Sequence, residues 1–360
     1  MTRHFLVGTY TEPILFGTGE VFQGKGKGIY LCAFDGEHIE TKALIPAVNP
    51  SYVCVDEKRR TLYAVNETRQ WLGQEGGSIS QWRYGGKCGF TLEATLGTGG
   101  ADPCHAAVSP DGRWLAVANY SGGSLAMFPL DGQGRMLPER RLFQHHGGSV
   151  NPARQEGPHV HSAIFDARGR LYAADLGQDR LACYRCGEEV VPETAGDLPS
   201  APGSGPRFGE FSADGKHLYV IHELSSTVAH YTCLDGRMAY QGAVSTLPEG
   251  FAGENTAADL HLTPDGRYLY ASNRGHDSIA MFGVERDGSL TPLGHQACGG
   301  RTPRNFAIDP EGKFLLVGNQ DTDNIAVFAI GDGGRLRQTG DVAFPTPVCI
   351  RFFSNDSVSA

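Results

Sequence analysis

SPDGRWLAVANY (residues 109–120) and TPDGRYLYASNR (residues 263–274) share the pattern that decides the fold of this 360-residue chain. Each begins with Pro-Asp-Gly, a turn sequence, and continues into a short apolar run with strand-forming residues. Four more copies of the turn and strand follow the same pattern: DEKRRTLYAVNE (56–67), DARGRLYAADLG (166–177), SADGKHLYVIHE (212–223) and DPEGKFLLVGNQ (309–320). The leucines that open the apolar runs are 53, 56, 47, 51 and 46 residues apart along the chain.

Each copy of the repeat also has a strand before it and a strand after it. The preceding strands are NPSYVCV, DPCHAAV, GPHVHSAIF, GPRFGEF, ENTAADLHL and TPRNFAI. The following strands include SLAMFPL, TVAHYTC, SIAMFGV and NIAVFAI. Hairpin-joined strands that repeat about every fifty residues are typical of the blades of a β-propeller, and helical periodicity is absent.

The two ends of the chain supply a seventh copy in two pieces. TPVCIRFF (346–353) is a first strand with no second strand after it, and RHFLVGTYT (3–11) is a second strand with no first strand before it. Pairing them closes the ring and leaves no exposed edge. We therefore predict an all-β chain with one domain, residues 1–360. It is a seven-bladed propeller of four-stranded antiparallel blades, closed by pairing of the N- and C-terminal strands.

Composition excludes several classes of protein. A net charge of −9 argues against a nucleic-acid partner, since phosphate binding needs a basic surface. The chain has no run of eighteen apolar residues, and its N-terminus has no apolar core typical of a signal peptide, so we expect neither a membrane partner nor secretion. The nine cysteines, an odd number spread through strand-like runs, indicate free thiols and a cytoplasmic location. The pattern leaves the oligomeric state open.

Candidate chemistry gathers at one end of the blades. Because each second strand returns antiparallel to the first, the start of strand one and the end of strand two share one rim of the propeller. Strand-one entrances on this rim carry Tyr52, His105, His159, His161, Arg207, Asp259 and Arg304. Strand-two ends carry Tyr10, Glu67, Tyr120, Glu223, Arg274 and Gln320. The opposite ends hold ordinary turn residues, so this rim is the predicted functional face.

Several polar residues have simpler structural interpretations. Asn66, Asn119, Asp175, Asn273 and Asn319 occupy one repeat position, which favours capping of strand ends. His261 is most simply a strand residue, and His145 and His146 lie in a glycine-containing loop where we expect exposure. Cys183 and Cys186 lie three apart on a strand and point to opposite faces, which argues against a shared metal.

Two further motifs contain residue types that bind metals or phosphate. His105, His159 and His161 could form a zinc site, but the HxH spacing has no HExxH-type partner, so no metal is predicted. GKGKG (24–28) precedes a strand instead of the helix that a phosphate loop needs. The loop that contains it, residues 11–28, should overhang the rim, where Lys25 or Lys27 could reach the site.

The chain resembles the seven-bladed β-propeller lactonases, which include 6-phosphogluconolactonases and carboxymuconate-lactonising enzymes. The similarity rests on the order of GTYT, NPSY, CHAAVSPDGR, NPARQEGPHVH, GPR, HEL, ADLHLTPDGRYLY, NRG and TPRNFAIDPEGKFLLVGNQ, spread over essentially the whole chain. It departs from many members at Phe208, where they have histidine, and at His222, where they have asparagine. Both positions could reshape the pocket and change the substrate.

The resemblance implies a set of catalytic residues. Carried over residue by residue, this set is His161, Arg207, Glu223 and Arg274. The substrate-binding residues predicted around it are Arg154, Gln155, His159, His105, Asp259 and Glu67. The family implies no metal and no organic cofactor.

The predicted residue types suit the hydrolysis of a small anionic lactone, most simply 6-phosphogluconolactone. Glu223 and His161 are candidates for base and acid, and Arg207 and Arg274 fit bidentate binding of phosphate or carboxylate. Two alternatives stay open at this point. One is a cycloisomerase that forms a lactone from a muconate with the same groups. The other is a propeller that serves as an interaction platform without catalysis.

Overall fold

Seven four-stranded antiparallel sheets form the blades of a propeller in the computed structural model, which describes residues 2–85 and 89–353. This architecture confirms the predicted fold class. Within the described part of the chain, the only helical segments are three single 3-10 turns: Leu176–Gln178, Thr194–Gly196 and Asp332–Gly334. None of them is long and apolar enough to cross a membrane.

The blades are numbered 1 to 6 in chain order, followed by a closing blade, and their strands are given from the centre outward. Blade 1 has β6 (Val53–Asp56), β7 (Thr61–Asn66), β10 (Ser78–Gly85) and β11 (Gly89–Gly97); blade 2 has β12 (Pro103–Val108), β13 (Trp114–Asn119), β14 (Ser124–Pro129) and β15 (Arg141–Gln144); blade 3 has β16 (Val160–Phe165), β17 (Arg170–Asp175), β18 (Arg180–Cys186) and β19 (Val190–Pro192), with β20 (Leu198–Pro199) also on β18.

The other four blades repeat the same order. Blade 4 has β21 (Pro206–Phe211), β22 (His217–His222), β23 (Thr227–Leu234) and β24 (Arg237–Ser245); blade 5 has β25 (Thr256–Leu262), β26 (Tyr268–Arg274), β27 (Ser278–Val284) and β28 (Leu290–Ala297); blade 6 has β29 (Pro303–Ile308), β30 (Phe314–Asn319), β31 (Asn324–Ile330) and β32 (Leu336–Ala343); the closing blade has β33 (Pro347–Phe353), β1 (Arg3–Thr9), β4 (Gly28–Phe34) and β5 (Ile39–Pro46). Two hairpins stand apart: β2 (Ile14–Leu15) with β3 (Val21–Phe22), and β8 (Gln70–Trp71) with β9 (Gln74–Glu75).

The ring closes where the two ends of the chain meet. Strand β33 pairs antiparallel with β1, so that Leu6 lies opposite Arg351 and Val7 opposite Ile350. The innermost strands contact one another in sequence from β6 through β12, β16, β21, β25 and β29 to β33, which also contacts β6. The predicted closure by the two terminal strands is therefore confirmed, and the innermost strands surround a central channel.

The repeated Pro-Asp-Gly turn has a local physical cause. In blade 2, Ser109 Oγ donates to Asp111 Oδ1 at 2.6 Å, and the Trp114 amide donates to Ser109 Oγ at 3.0 Å. Gly112 has a φ of +69°, a left-handed conformation that glycine adopts without steric cost. Hydroxyl, carboxylate and glycine together reverse the chain between first and second strands, which explains why the repeat keeps these residue types.

Apolar side chains between neighbouring blades form the core. The second strands are buried on both faces; all six residues of β7 and all six of β13 are buried. Between blades 1 and 2, for example, Tyr63, Val65, Leu115, Val117 and Phe128 pack together at 0% exposure. Burying such a side chain contributes about 1.5–3 kcal/mol, so the interfaces between blades hold the ring rigid around its centre.

The polar position that is repeated at the end of the second strands is structural, as predicted. Asn119 Nδ2 donates to Ser124 Oγ at 3.0 Å, Asn273 Nδ2 donates to the Thr246 carbonyl at 2.7 Å, and Asp175 accepts from the Gln178 amide that begins a 3-10 turn. These bonds satisfy backbone and hydroxyl groups at the strand ends.

The eight cysteines in the described ranges are free thiols, and Cys88 lies outside those ranges.

Candidate functional site

A bulge at the entrance of the innermost strands shapes the centre of the propeller. In β16, Val160 pairs with Asp175 and Ser162 pairs with Ala174, so His161 is an extra residue in the ladder. Register shifts of the same form make Cys104, Arg207, Arg304 and Val348 the extra residues in four other innermost strands. A fifth shift, in β25, places Ala258 and Asp259 opposite a single residue, Ser272. Because a bulge re-aims the inserted side chain, each of these blades presents an additional residue to the channel.

The channel entrance opens into a cavity of about 450 Å³, within the ~300–1,000 Å³ range of small-molecule sites. Below it lies a smaller recess that shares Glu67, Cys104, His161 and Arg304 with the cavity wall. Of the predicted residues, the cavity is lined by Glu67, Arg154, His161, Glu223 and Arg274. The recess is lined by Arg207, His105 and Asp259, with Phe208 beside them.

Glu223 is the centre of a buried charge cluster. Its Oε1 accepts from Arg154 Nη2 at 2.5 Å, and its Oε2 lies 3.0 Å from Arg207 Nε and 2.8 Å from Arg274 Nη2. The Glu223 side chain is only 5% exposed. Two blades and a loop contribute these groups: Glu223 and Arg207 come from blade 4, Arg274 ends β26 of blade 5, and Arg154 lies in the loop that precedes β16 of blade 3.

The charges of this cluster determine its protonation. Burial opposes ionisation of Glu223, but Arg274, Arg154 and Arg207 outweigh it and hold the pKa of its carboxyl well below the usual range. Burial lowers the pKa of Arg274 to about 10, so this guanidinium stays charged at neutral pH. Glu223 is therefore ionised, and three cations surround one anion.

His161 stands beside this cluster as a neutral imidazole. Its Nε2 lies 4.0 Å from Glu223 Oε2, and its Nδ1 lies 3.6 Å from Cys104 Sγ. Burial, reinforced by Arg207, lowers the pKa of His161 well below its usual range. At neutral pH it can therefore offer one N–H donor and one lone pair to a substrate, but no charge.

The second buried glutamate of the cavity wall, Glu67, lies near Tyr10 and Arg304. Tyr10 Oη donates to Glu67 Oε2 at 3.1 Å, and the Arg304 guanidinium lies 5.3 Å from the centre of the Tyr10 ring. Burial, against the opposing effect of Arg304, raises the pKa of Glu67 to about 7. Glu67 and Glu223, both buried in the cavity wall, thus have their pKa values moved in opposite directions.

The loop before β4 covers part of the cavity, as expected from the topology. It lines the cavity with Leu15, Phe16, Gly17, Thr18, Glu20 and Phe22. The rings of Phe16 and Phe22 lie 5.7 Å apart, and Phe16 packs on Tyr10 at 6.0 Å. Neither lysine of GKGKG lines the cavity, and Lys25 Nζ instead pairs with Asp323 at 2.5 Å. The proposed contribution of Lys25 or Lys27 to the site is therefore wrong.

Two predicted binding residues face away from both cavities. Gln155 Nε2 donates to the Leu176 carbonyl at 2.8 Å, and Gln155 Oε1 accepts from the backbone N–H of Asn151 at 3.1 Å. The side chain of Gln155 therefore stabilises its own loop. The His159 ring stacks on Tyr120 at 4.6 Å and pairs with Glu156 at 3.2 Å. Gln155 and His159 can thus position Arg154 and Tyr120 but do not line the site.

The expectation that His145 is exposed is wrong. It is 5% exposed, and its ring bridges Asp175 Oδ2 at 2.6 Å and Tyr184 Oη at 2.7 Å. The carboxylate of Asp175 provides a buried acceptor that local glycine content could not reveal. His146 next to it is exposed, as expected.

His261 also does more than occupy a strand. Its Nδ1 lies 2.7 Å from Glu210 Oε2, and its Nε2 lies 3.2 Å from Asp259 Oδ2. Burial opposes protonation, but Asp259 and Glu210 outweigh it and raise the pKa of His261 to about 10. Its charge balances that of two carboxylates, one of which, Asp259, lines the recess.

Sequence reasoning underrated Arg304 and missed Cys104. From the sequence, Arg304 is placed on the rim but is assigned no role in the site, although it follows a proline just as Arg207 does. The signal that could have found both was their alignment with His161 and Arg207, one residue after the start of the innermost strand.

Within the described ranges, no three His, Cys, Asp or Glu side chains converge as metal ligands would. The cavity wall carries carboxylates, guanidinium groups, a tyrosine and a neutral imidazole. Together they can bind an anionic ligand, stabilise a developing oxyanion and transfer protons.

Comparison with known proteins accounts for this arrangement. The family model described as lactonase, 7-bladed beta-propeller matches residues 4–352. A 6-phosphogluconolactonase of Bacillus subtilis is 32% identical over 294 residues, which is 79% of each chain, and one of Formosa agariphila is 33% identical over 286 residues, 75% of this chain and 79% of the other. The solved structure of the periplasmic gluconolactonase of Pseudomonas aeruginosa superposes with a TM-score of 0.89 and 34% identity, covering 98% of this chain and 99% of the other. The chain is a lactonase and belongs to the seven-bladed β-propeller lactonase family.

Proposed function

We propose that this lactonase hydrolyses 6-phosphogluconolactone in the funnel cavity, by acid/base chemistry of its own side chains without a metal. The observation that carries the proposal is the ionised Glu223 held by three guanidinium groups beside a neutral His161. The two relatives reported above, both named 6-phosphogluconolactonase, support the choice of the phosphorylated sugar. The cytoplasmic location stays a prediction.

The charge of the cluster suits an anionic substrate. Three guanidinium groups around one carboxylate leave an excess of positive charge at the cavity floor. Arg154 Nε is buried and has no hydrogen-bond partner among the described residues, so a substrate oxygen could satisfy it. Arginine binds phosphate and carboxylate oxygens in a planar, bidentate manner.

The same guanidinium groups can assist the reaction. When water adds to the lactone carbonyl, negative charge develops on the carbonyl oxygen. Fixed cations in a site shielded from water stabilise that charge strongly, because no solvent must reorganise. Glu223 keeps Arg154, Arg207 and Arg274 in fixed positions, and the N–H of His161 offers a further donor. In this proposal Glu223 acts chiefly through its charge and the geometry that it imposes.

A substrate panel tests the proposal. Acid release in a pH-stat would be followed for 6-phosphogluconolactone, glucono-δ-lactone and a muconolactone, with muconate consumption followed by absorbance. We expect the highest kcat/KM for the phosphorylated lactone and no loss of rate after dialysis against EDTA. Preferred turnover of muconate would support the cycloisomerase alternative, and loss of the rate with EDTA would overturn metal independence.

A further inference from the structure

The cavity contains two buried glutamates, and only one of them is neutralised by direct ion pairs. Both oxygens of Glu223 are within 3.0 Å of guanidinium nitrogens. Within residues 2–85 and 89–353, Glu67 forms no ion pair, and its Oε2 accepts one hydrogen bond from Tyr10. A carboxylate bound by three cations has little affinity for a proton, so a different group must accept the proton from water.

Glu67 occupies a suitable position for that task. It is 6% exposed and lines both the cavity and the recess beneath it, as does His161. Its backbone is fixed, because the Glu67 amide donates to the Asn49 carbonyl at 3.0 Å, and Asn49 Nδ2 donates to the Glu67 carbonyl at 3.2 Å. The Tyr10 hydroxyl holds Oε2. The carboxyl is thus both rigid and open to the space where substrate and water would meet.

We propose that Glu67 is the general base that activates water for lactone hydrolysis, and that Glu223 serves as the electrostatic anchor of the arginines. This inference rests on the proposed lactonase function and extends it, since it assigns the proton transfer to a residue expected only to bind substrate.

The surroundings of Glu67 give it the proton affinity that a base requires. Charged and titratable groups face it from four elements: Tyr10 after β1, Asp102 and Cys104 at the start of β12, Arg304 in β29 and His161 in β16. Burial is the strongest influence and, although Arg304 opposes it, raises the pKa of Glu67 to about 7. A general base is most effective when its pKa lies near the working pH. Two carboxylates with separated pKa values are a recurrent arrangement for dividing such roles.

The proposed step is balanced in atoms and charge. The Glu67 carboxylate takes a proton from water while the water oxygen bonds to the lactone carbonyl carbon, and the carbonyl electron pair moves onto its oxygen. When this pair re-forms the carbonyl, the bond from the carbonyl carbon to the ring oxygen breaks, and that oxygen takes the proton from Glu67. One water is consumed, one hydroxy acid is formed, and its new carboxyl group releases a proton to solvent.

The test is the pH dependence of turnover for wild type, Glu67→Gln, Tyr10→Phe and the control Glu57→Gln. Glucono-δ-lactone is the probe, because a phosphate group itself titrates near pH 6. In wild type we expect kcat to fall below about pH 7, where Glu67 becomes protonated. Glu67→Gln should lower kcat by ~10²–10⁴, the usual contribution of general-base catalysis, and remove this acid limb. Glu57 is exposed in the turn between β6 and β7, at the opposite end of β7 from Glu67. Its substitution should therefore change neither kcat nor the acid limb.

Tyr10→Phe still tests the role of Glu67 if the Glu67→Gln variant does not fold. The Tyr10 hydrogen bond favours the carboxylate form and lowers the pKa of Glu67, so its loss should move the acid limb to higher pH while the plateau rate changes only a few-fold. If the wild type is active, two results would overturn the assignment of Glu67. One is an acid limb at the same pH in Tyr10→Phe as in wild type. The other is an acid limb that persists in folded Glu67→Gln. Absence of activity of wild type on every lactone would instead overturn the proposed function.

Discussion

Arg274 combines an ion pair with backbone contacts that a lysine cannot reproduce. Its Nη2 lies 2.8 Å from Glu223 Oε2 and 3.3 Å from the Ala257 carbonyl, and its Nε lies 3.5 Å from the Thr256 carbonyl. The planar guanidinium reaches these groups at once, whereas an ammonium is a single point of charge.

Arg274→Lys should therefore weaken catalysis while the chain stays folded. Loss of a hydrogen bond to a charged group costs about 1.5–3 kcal/mol, so we expect kcat/KM for 6-phosphogluconolactone to fall roughly 10- to 100-fold. Arg267→Lys is the matched control, because Arg267 pairs with Asp265 in an exposed turn at the opposite end of β26. Equal kcat/KM for wild type and Arg274→Lys, with unchanged circular dichroism, would contradict this role.

His261 should make stability depend on alkaline pH. Its pKa is about 10 in the folded protein and near 6.5 unfolded, so the folded state binds the proton more tightly. The stabilisation is complete below about pH 6.5 and is lost as the pH rises toward 10. Urea denaturation of wild type between pH 6.5 and pH 10 should show a decline in the free energy of unfolding on the order of a few kcal/mol. His261→Gln should show a much smaller decline, and an equal decline in both would refute the charge balance by His261.

Individual site residues could be predicted from the sequence where they differ from the residues at the same position in other repeats. Glu223 and Arg274 stand at a rim position without repeating around the ring, and the structure brings both to the cavity. Arg304 could have been assigned to the site with Arg207, because both follow a proline at the start of an innermost strand. His145 and His261 were misjudged for another reason: their partners Asp175, Glu210 and Asp259 come close only through strand pairing.

At the scale of the strands, the fold followed from repeat length, Pro-Asp-Gly turns and two half-repeats at the chain ends. The turn and strand pattern is local and recurs six times, so an unclear pattern in one copy does not change the predicted fold. The bulges could not be predicted from the sequence, because a bulge is a property of two paired strands and is visible only when their register is known. They nevertheless determine that His161 and Arg207 enter the channel.

The closing blade gives a prediction at this scale. Strand β33 supplies the innermost strand, with Val348, Cys349 and Ile350 at 2–3% exposure. A chain that ends at residue 345 would expose the unpaired edge of β1 and the apolar faces of both neighbouring blades. We expect a markedly lower midpoint of thermal unfolding for the entire transition, measured by circular dichroism, and not the loss of a dispensable tail.

A point substitution in the same blade provides the comparison. Ile350→Ala should cost ~2–5 kcal/mol, as is usual for a large buried aliphatic side chain. Leu44→Ala on the outermost strand of this blade should cost about 0.5 kcal/mol or less, since Leu44 is 42% exposed. A truncated chain as stable as wild type, or equal effects of the two substitutions, would contradict closure through β33.

At the scale of the whole molecule, the propeller converts distant sequence positions into one site. Arg154, Glu223 and Arg274 come from three different blade regions, and Glu67 and Arg304 come from two more. The rigid apolar interfaces between blades keep these groups in place, so electrostatic stabilisation needs little rearrangement during the reaction. The net charge of −9 coexists with a locally cationic cluster around Glu223, and in the proposed function this local charge meets the substrate.

The most direct test of this account is the rate of 6-phosphogluconolactone hydrolysis per folded molecule in Glu223→Gln relative to wild type. The substitution keeps the shape of the side chain and removes the charge that holds three arginines, so we predict a loss of kcat/KM of ~10²–10⁴ together with a lower melting temperature. Glu93→Gln is the control, because Glu93 pairs with Arg83 on an outer strand of blade 1, away from the cavity. Wild-type kcat/KM per folded molecule in Glu223→Gln would contradict the claim that this cluster is the centre of the lactonase site.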